Sequence, residues 1–163
     1  MEYTRENLQL VAHSILEIAR KNLQRDGYLS PVGLIFHKDG ISQIFQFTFS
    51  DVDEKRQSQE AFRDMFKTVG GRAAVIVTES WLKVRSDSPL DPTQSIVDDP
   101  DRKEVIVIEA ASSLAKVFIT QTFARDSEGK IHFEPPFEPE YGFTWHSEWL
   151  DGIGYDDGGR YDS

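Results

Sequence analysis

The chain contains no cysteine among its 163 residues. Disulfide bonds, thiolate metal sites and cysteine nucleophiles are therefore excluded. It also lacks any run of about eighteen consecutive apolar residues, the length at which a transmembrane helix is expected. The N-terminal stretch MEYTRENLQL has neither the basic nor the apolar region of a secretory signal. These absences together predict a cytoplasmic protein that makes no membrane contact.

Common catalytic motifs are missing as well. The sequence has no GxSxG, no GxxxxGK[ST], and no GxGxxG that follows a strand, which argues against common serine hydrolases, NTPases and dinucleotide-dependent enzymes. The four histidines are His13, His37, His132 and His146, and none of their spacings matches HxH, HxxxH or HExxH. A zinc peptidase is therefore unsupported, and we predict no metal and no cofactor.

Positive charge is sparse and scattered. No run of lysine and arginine exceeds two residues, and the net charge is −10. Residues 134–163 hold eight acidic residues and one arginine, so −7 of that charge lies in this segment. Such a chain repels nucleic acid, and we predict no direct nucleic-acid binding. The same acidity leaves open a protein that mimics nucleic acid.

Apolar periodicity predicts two helices and five or six strands. The helices are expected at 4–26, with Thr4 as N-cap and Gly27 as stop, and at 51–69, beginning at Asp51. The strands are expected in VGLIFHK and ISQIFQFTF, then at 72–84, 103–111, 114–125 and 130–134. The turns between the last strands are too short for parallel crossovers. We therefore predict an α+β fold: a mostly antiparallel sheet with both helices on one face.

The first two strands are separated by Asp39-Gly40, a strong hairpin signal that suits a type I′ turn. Strict alternation along the second strand places Ile41, Gln43 and Phe45 on one face and Ile44 on the other.

The C-terminal segment differs from the rest of the chain. We predict one α+β domain over residues 1–133 and an acidic, aromatic arm over residues 134–163. Tyr141, Trp145 and Trp149 are candidate binding residues in this arm, because aromatic side chains in such numbers are rare in a solvated linker. The arm either folds back over the domain or anchors a partner.

Two glutamates stand out within apolar strands. The runs VIVTESWLKV and KEVIVIEA contain Glu79 and Glu109, and they flank an Asp- and Pro-rich loop at 86–102. A simple antiparallel register places Glu79 opposite Glu109 and Trp81 opposite Val107. The pair then either shares a proton or a divalent metal, as in a metal-assisted hydrolase, or belongs to a charged row on an exposed face. A shift of one residue in the register removes the pair.

The loop at 86–102 has two interpretations of its own. Its aspartates could bind calcium, although their spacing matches no EF-hand, or the loop is a solvated connector.

Glu79-Ser80-Trp81, the later stretch PDRKE (100–104) and the apolar strand after it resemble a family of small uncharacterised bacterial and phage proteins. The resemblance implies a bacterial or phage source and carries over no catalytic residue. It singles out Glu79, Trp81, Arg102 and Glu104, which the same register places near one end of the sheet.

The leading functional prediction is a non-catalytic accessory protein that acts through protein–protein contacts or self-association, with a homo-oligomer left open. One alternative is the metal-assisted hydrolase that uses Glu79 and Glu109 as candidate catalytic residues. The other alternative is the acidic nucleic-acid mimic.

Overall fold

A computed structural model of the chain describes residues 2–83, 102–139 and 147–153. Its elements are α1 (Arg5–Asp26), β1 (Val32–His37), β2 (Gly40–Gln46), α2 (Val52–Thr68), β3 (Ala73–Lys83), β4 (Arg102–Ser112), β5 (Lys116–Arg125) and β6 (Ile131–Phe133). The predicted α+β class is confirmed. Most of the predicted loop at 86–102 lies outside the described residues. Within the described ranges, no helix is long and apolar enough to cross a membrane.

The six strands form one curled, antiparallel sheet. Their order is β2-β1-β3-β4-β5-β6, and each strand runs antiparallel to its neighbours. Residues 134–139, at the start of the predicted arm, continue beside β5, where Phe137 forms a bridge with Thr120. Glu138 then accepts hydrogen bonds from Gln9 and His13 of α1.

The helix ends follow from local sequence. The Thr4 side chain accepts a hydrogen bond from the backbone of Asn7 at the start of α1, and Gly27 ends that helix with φ 80°. Asp51 caps α2 by accepting a hydrogen bond of 2.8 Å from the backbone N–H of Glu54. Both predicted caps are therefore confirmed.

The two helices pack on opposite faces of the sheet. The buried side chains of α1 share a core with Leu34 and Val75, and this side is called the α1 face. Phe62 of α2 shares a second core with Ile35 and Ile76, and this side is called the α2 face. The sequence predicted both helices on one face of the sheet. The helices lie on opposite faces instead, because β1 and β3 are apolar at consecutive positions. Such runs are typical of strands that are covered on both sides.

The β1–β2 hairpin forms where Asp39-Gly40 predicted it, but with a different turn and an added bulge. Gly40 has a positive φ of 123°, and no described non-glycine residue has one, so the turn is not type I′. The β1–β2 register shifts within the hairpin, aligning Phe36 with Ile41 and Leu34 with Ile44. A bulge adds one residue to a strand, so Ile41 and Ile44 share the α1 face. The predicted alternation is wrong at Ile41.

Candidate binding cavity on the α2 face

A cavity of about 600 Å³ lies between α2, strands β3 to β5 and the segment 147–149. Ligand pockets in proteins commonly measure roughly 300–1,000 Å³. Phe49, Phe118 and Trp149 contribute aromatic surface to its wall. Lys55 and Glu109 are among the polar residues that line it. Eight of the thirteen lining residues are polar or charged, so the wall combines aromatic surface with many polar groups.

Glu109 reaches this cavity because of the alternation along β4. Ile106, Ile108 and Ala110 fill the α1 face, so the odd-numbered residues of the strand point to the α2 face. Glu109 thus places a carboxyl group between the apolar neighbours Val107 and Ala111 of the same strand. The sequence signal for this site was the acidic residue within the apolar run at 105–111.

The carboxyl group of Glu109 is held by one hydrogen bond within the described part of the chain. Ser147 donates it through Oγ to Glu109 Oε2 at 2.9 Å. The same Oγ accepts a hydrogen bond from the backbone N–H of Leu150 at 3.2 Å, which fixes the serine at the start of a turn. Ser147 is itself buried. The turn at 147–150 therefore holds the hydroxyl group against the carboxyl group.

Burial is the main electrostatic influence on Glu109. It raises the pKa of this carboxyl group from 4.5 to about 7, because a charged carboxylate loses hydration inside the protein. The hydrogen bond from Ser147 and the positive charge of Lys55 lower the pKa, and the negative charge of Glu148 raises it again. Near neutral pH the carboxyl group is therefore only partly ionised, and a nearby cation favours its charged form.

Three further polar residues of the cavity lie on α2 or contact it. The Lys55 ammonium lies 5.8 Å from the centre of the Phe49 ring. Gln59 is buried and donates a hydrogen bond of 3.4 Å to Glu148 Oε2. Arg63 donates to the backbone carbonyl of Glu148. These contacts attach the segment 147–153 to α2.

Trp149 has an intramolecular role. Its ring lies 4.6 Å from that of Phe47, and Trp149, Leu150 and Ile153 are all buried in the core of the α2 face. Trp149 therefore packs within the chain, and its role as an anchor for a partner stays a prediction. Tyr141 and Trp145 lie outside the described residues.

The predicted Glu79–Glu109 pair is wrong. The structure aligns Glu79 with Ile106 and Glu109 with Ile76, three positions away from the expected register. An odd shift moves side chains to the other face. Glu79 therefore belongs to the α1 face and Glu109 to the α2 face. In the described ranges, no group of three or more His, Asp or Glu side chains could hold a metal ion.

Three of the residues singled out by the resemblance lie close together: Glu79, Trp81 and Glu104. Trp81 is aligned with Glu104 on adjacent strands, not with Val107. Arg125 of β5 donates to Glu104 at 2.9 Å and to Glu79 at 3.5 Å, and the backbone N–H of Leu29 also donates to Glu79.

The cation of this cluster is thus Arg125, which sequence reasoning missed because it is far along the chain. The side chain of Arg102 lies outside the described part of the structure.

Comparison with known proteins identifies the family. The sequence model of the family described as bacteriophage lambda protein ea47 matches residues 2–139. The chain belongs to this family. The phage side of the resemblance is thereby confirmed. No curated protein and no solved structure matches the chain.

The ea47 family match spans α1 to β6 and includes Glu109 and most of the cavity lining. Ser147, Glu148 and Trp149 lie beyond the matched residues.

Proposed function

We propose that the chain is a non-catalytic phage accessory protein that binds a protein partner through the α2-face cavity. The cavity takes a lysine or arginine side chain of that partner. The observation that supports this function is the placement of Glu109, a largely buried carboxyl group beside aromatic walls.

The charge balance around Glu109 favours a cationic ligand. The carboxyl groups of Glu109 and Glu148 outnumber the one ammonium group beside them, that of Lys55, at the wall of the cavity. Lys55 lowers the pKa of Glu109 and Glu148 raises it. A cation placed beside them offsets the cost of ionising Glu109 inside the protein. An anionic ligand is repelled both by these carboxylates and by the net charge of −10.

The aromatic walls favour an organic cation over a bare ion. Phe49 already lies under one ammonium group, that of Lys55. Phe118 offers further ring surface. The aliphatic stem of a lysine or arginine packs on such rings, and a guanidinium group also stacks on them. Arginine in particular is enriched as an anchor at protein interfaces.

The alternatives have less support. The hydrolase hypothesis depended on facing glutamates, and Glu79 and Glu109 occupy opposite faces of the sheet. The acidic nucleic-acid mimic stays an alternative proposal, and salt separates it from the cavity. Binding through exposed acidic groups weakens steeply as ionic strength rises, whereas binding that also uses apolar contact with the aromatic wall weakens less.

Calorimetry with matched peptides tests this function. The ligands are blocked Gly-Arg-Gly and blocked Gly-citrulline-Gly, which have similar shape but differ in charge. We expect the arginine peptide to bind at millimolar concentration, the citrulline peptide to bind at least tenfold more weakly, and Glu109→Gln to remove that preference. The exposed Glu60→Gln serves as control and keeps it. Equal binding of both peptides, or an unchanged preference in Glu109→Gln, contradicts the proposal.

A further inference from the structure

Lys55 is the basic residue in the wall of the α2-face cavity. It lies near the start of α2, and its side chain is partly exposed. The ammonium group lies 5.8 Å from the centre of the Phe49 ring. Its positive charge also acts on Glu109, whose pKa it lowers. Lys55 therefore already interacts with an aromatic ring and with the buried carboxyl group of this cavity.

The proposed ligand needs the same two features. A cationic side chain of a partner would pack on an aromatic ring and favour the charged form of Glu109. Two cations beside one ring and one carboxyl group repel each other, and this repulsion is stronger near a largely buried group than in water. The ammonium group of Lys55 and the cation of a ligand therefore compete for one position.

The contacts of Lys55 allow it to leave that position. A lysine side chain has a flexible four-carbon stem and a strongly hydrated ammonium group. The distance to the Phe49 ring lies near the outer limit of cation–π contact, about 6 Å. Gln59 and Arg63 of the same helix are held differently, since each donates a hydrogen bond to Glu148. Lys55 is thus the polar residue of α2 that can move to solvent at little cost.

We propose that Lys55 is an internal competitor for the α2-face cavity. In the free chain its ammonium group occupies the position that a cationic side chain of the partner takes, and it moves out to solvent when that side chain enters. The inference rests on the proposed function and adds a regulatory contact to the same site.

The competition has two consequences for recognition. The apparent affinity is reduced by the fraction of chains in which the position is free, so a partner must offer contacts beyond a single charge. Once Lys55 has moved away, Glu109 and Glu148 face the ligand without an ammonium group between them. The entering cation then meets a more negative wall than the free chain presents.

Calorimetry with the blocked arginine peptide compares wild type with Lys55→Met, which keeps an apolar stem and removes the ammonium group. The titrations are run at about pH 9, where Glu109 is mostly ionised in both chains. We expect Lys55→Met to bind the peptide more tightly than wild type, by about fivefold or more. Lys67→Met is the matched control, because Lys67 is exposed in the last turn of α2. It should bind like wild type, although its net charge changes by the same amount.

NMR of the Lys55 side chain separates displacement from simple repulsion. In the free chain the Phe49 ring should shift the signals of the methylene group next to the ammonium group, and Phe49→Leu should remove that shift. Saturating arginine peptide should move the wild-type signals to the values of an exposed lysine. The inference is overturned if the signals keep their shift at saturation, or if Lys55→Met binds no more tightly than wild type. Either result leaves the proposed function standing, whereas a lack of arginine-peptide binding in both chains overturns the two together.

Discussion

Ser147 donates a hydrogen bond to Glu109 at 2.9 Å, although 38 residues separate them along the chain. This bond joins the C-terminal turn to the middle of β4, at the cavity on the α2 face. The two residues place a hydroxyl group and a carboxyl group beside the aromatic wall of the cavity, and the pKa of the carboxyl group is raised. The proposed recognition of a cationic side chain depends on this pair more than on any other contact.

Ser147→Ala should raise the pKa of Glu109 above its value of about 7. The hydroxyl group stabilises the charged carboxylate, so its loss leaves burial less opposed. The measurement is an NMR titration of the Glu109 carboxyl carbon. Ser14→Ala, an exposed serine on α1, should leave that titration unchanged. A pKa that stays constant or falls in Ser147→Ala contradicts the assignment.

Glu109→Gln should change the dependence of stability on pH. In wild type the folded state keeps the Glu109 proton up to a pKa of about 7, whereas the unfolded state releases it near 4.5. Folding is therefore disfavoured progressively as pH rises through this window, by up to about 3 kcal/mol in total. Relative to wild type, Glu109→Gln should gain stability between pH 4.5 and pH 7 and show a constant difference below that window.

Urea unfolding across this pH range checks that prediction, with Glu60→Gln as control for the loss of an exposed carboxylate. Parallel stability curves for wild type and Glu109→Gln would show that burial does not shift the titration of this group.

Trp149→Ala should destabilise the fold by about 3–5 kcal/mol, the usual range for truncating a large buried aromatic side chain. Trp149 is only 6% exposed and packs on Phe47. The measurement is the free energy of unfolding in urea. Phe137→Ala is the matched control, because Phe137 is 63% exposed, and it should cost less than about 1 kcal/mol. If Trp149→Ala lowers the free energy of unfolding as little as Phe137→Ala does, the turn at 147–153 adds little to the core.

Arg125→Met should destabilise the fold by about 1 kcal/mol, since it leaves the Glu79 and Glu104 carboxylates without their shared cation. Adding Glu104→Gln to that variant should recover part of the loss, because one negative charge is removed. Arg56→Ala, which breaks an exposed ion pair with Asp53, should have almost no effect. The cluster has no structural role if Arg125→Met matches Arg56→Ala in chemical denaturation.

Local signals predicted the elements of this fold well. Thr4, Gly27 and Asp51 cap or end the helices as expected, and the Asp39-Gly40 hairpin is present. Such features depend on residues a few positions apart, so one sequence is enough to read them. The apolar run in β3 also indicates that both faces of the sheet are covered. It does not indicate which helix covers which face.

The site was harder to predict because it depends on long-range register. The β3–β4 connection is too long for a turn to fix the pairing of the two strands. A simple register therefore places Glu79 opposite Glu109, whereas the structure separates them. Glu109 itself was recognised because it interrupts the apolar run at 105–111. Its partner Ser147 was not recognised, because no sequence pattern around this serine indicates a contact with β4.

The most direct test of cation recognition is the titration of Glu109 in the presence of the blocked arginine peptide. A cation that binds beside the carboxylate favours its charged form, so the pKa of Glu109 should fall from about 7 by about one unit or more at saturation. The citrulline peptide at the same concentration should leave the pKa in place. A Glu109 titration that is identical with and without the arginine peptide would contradict the account.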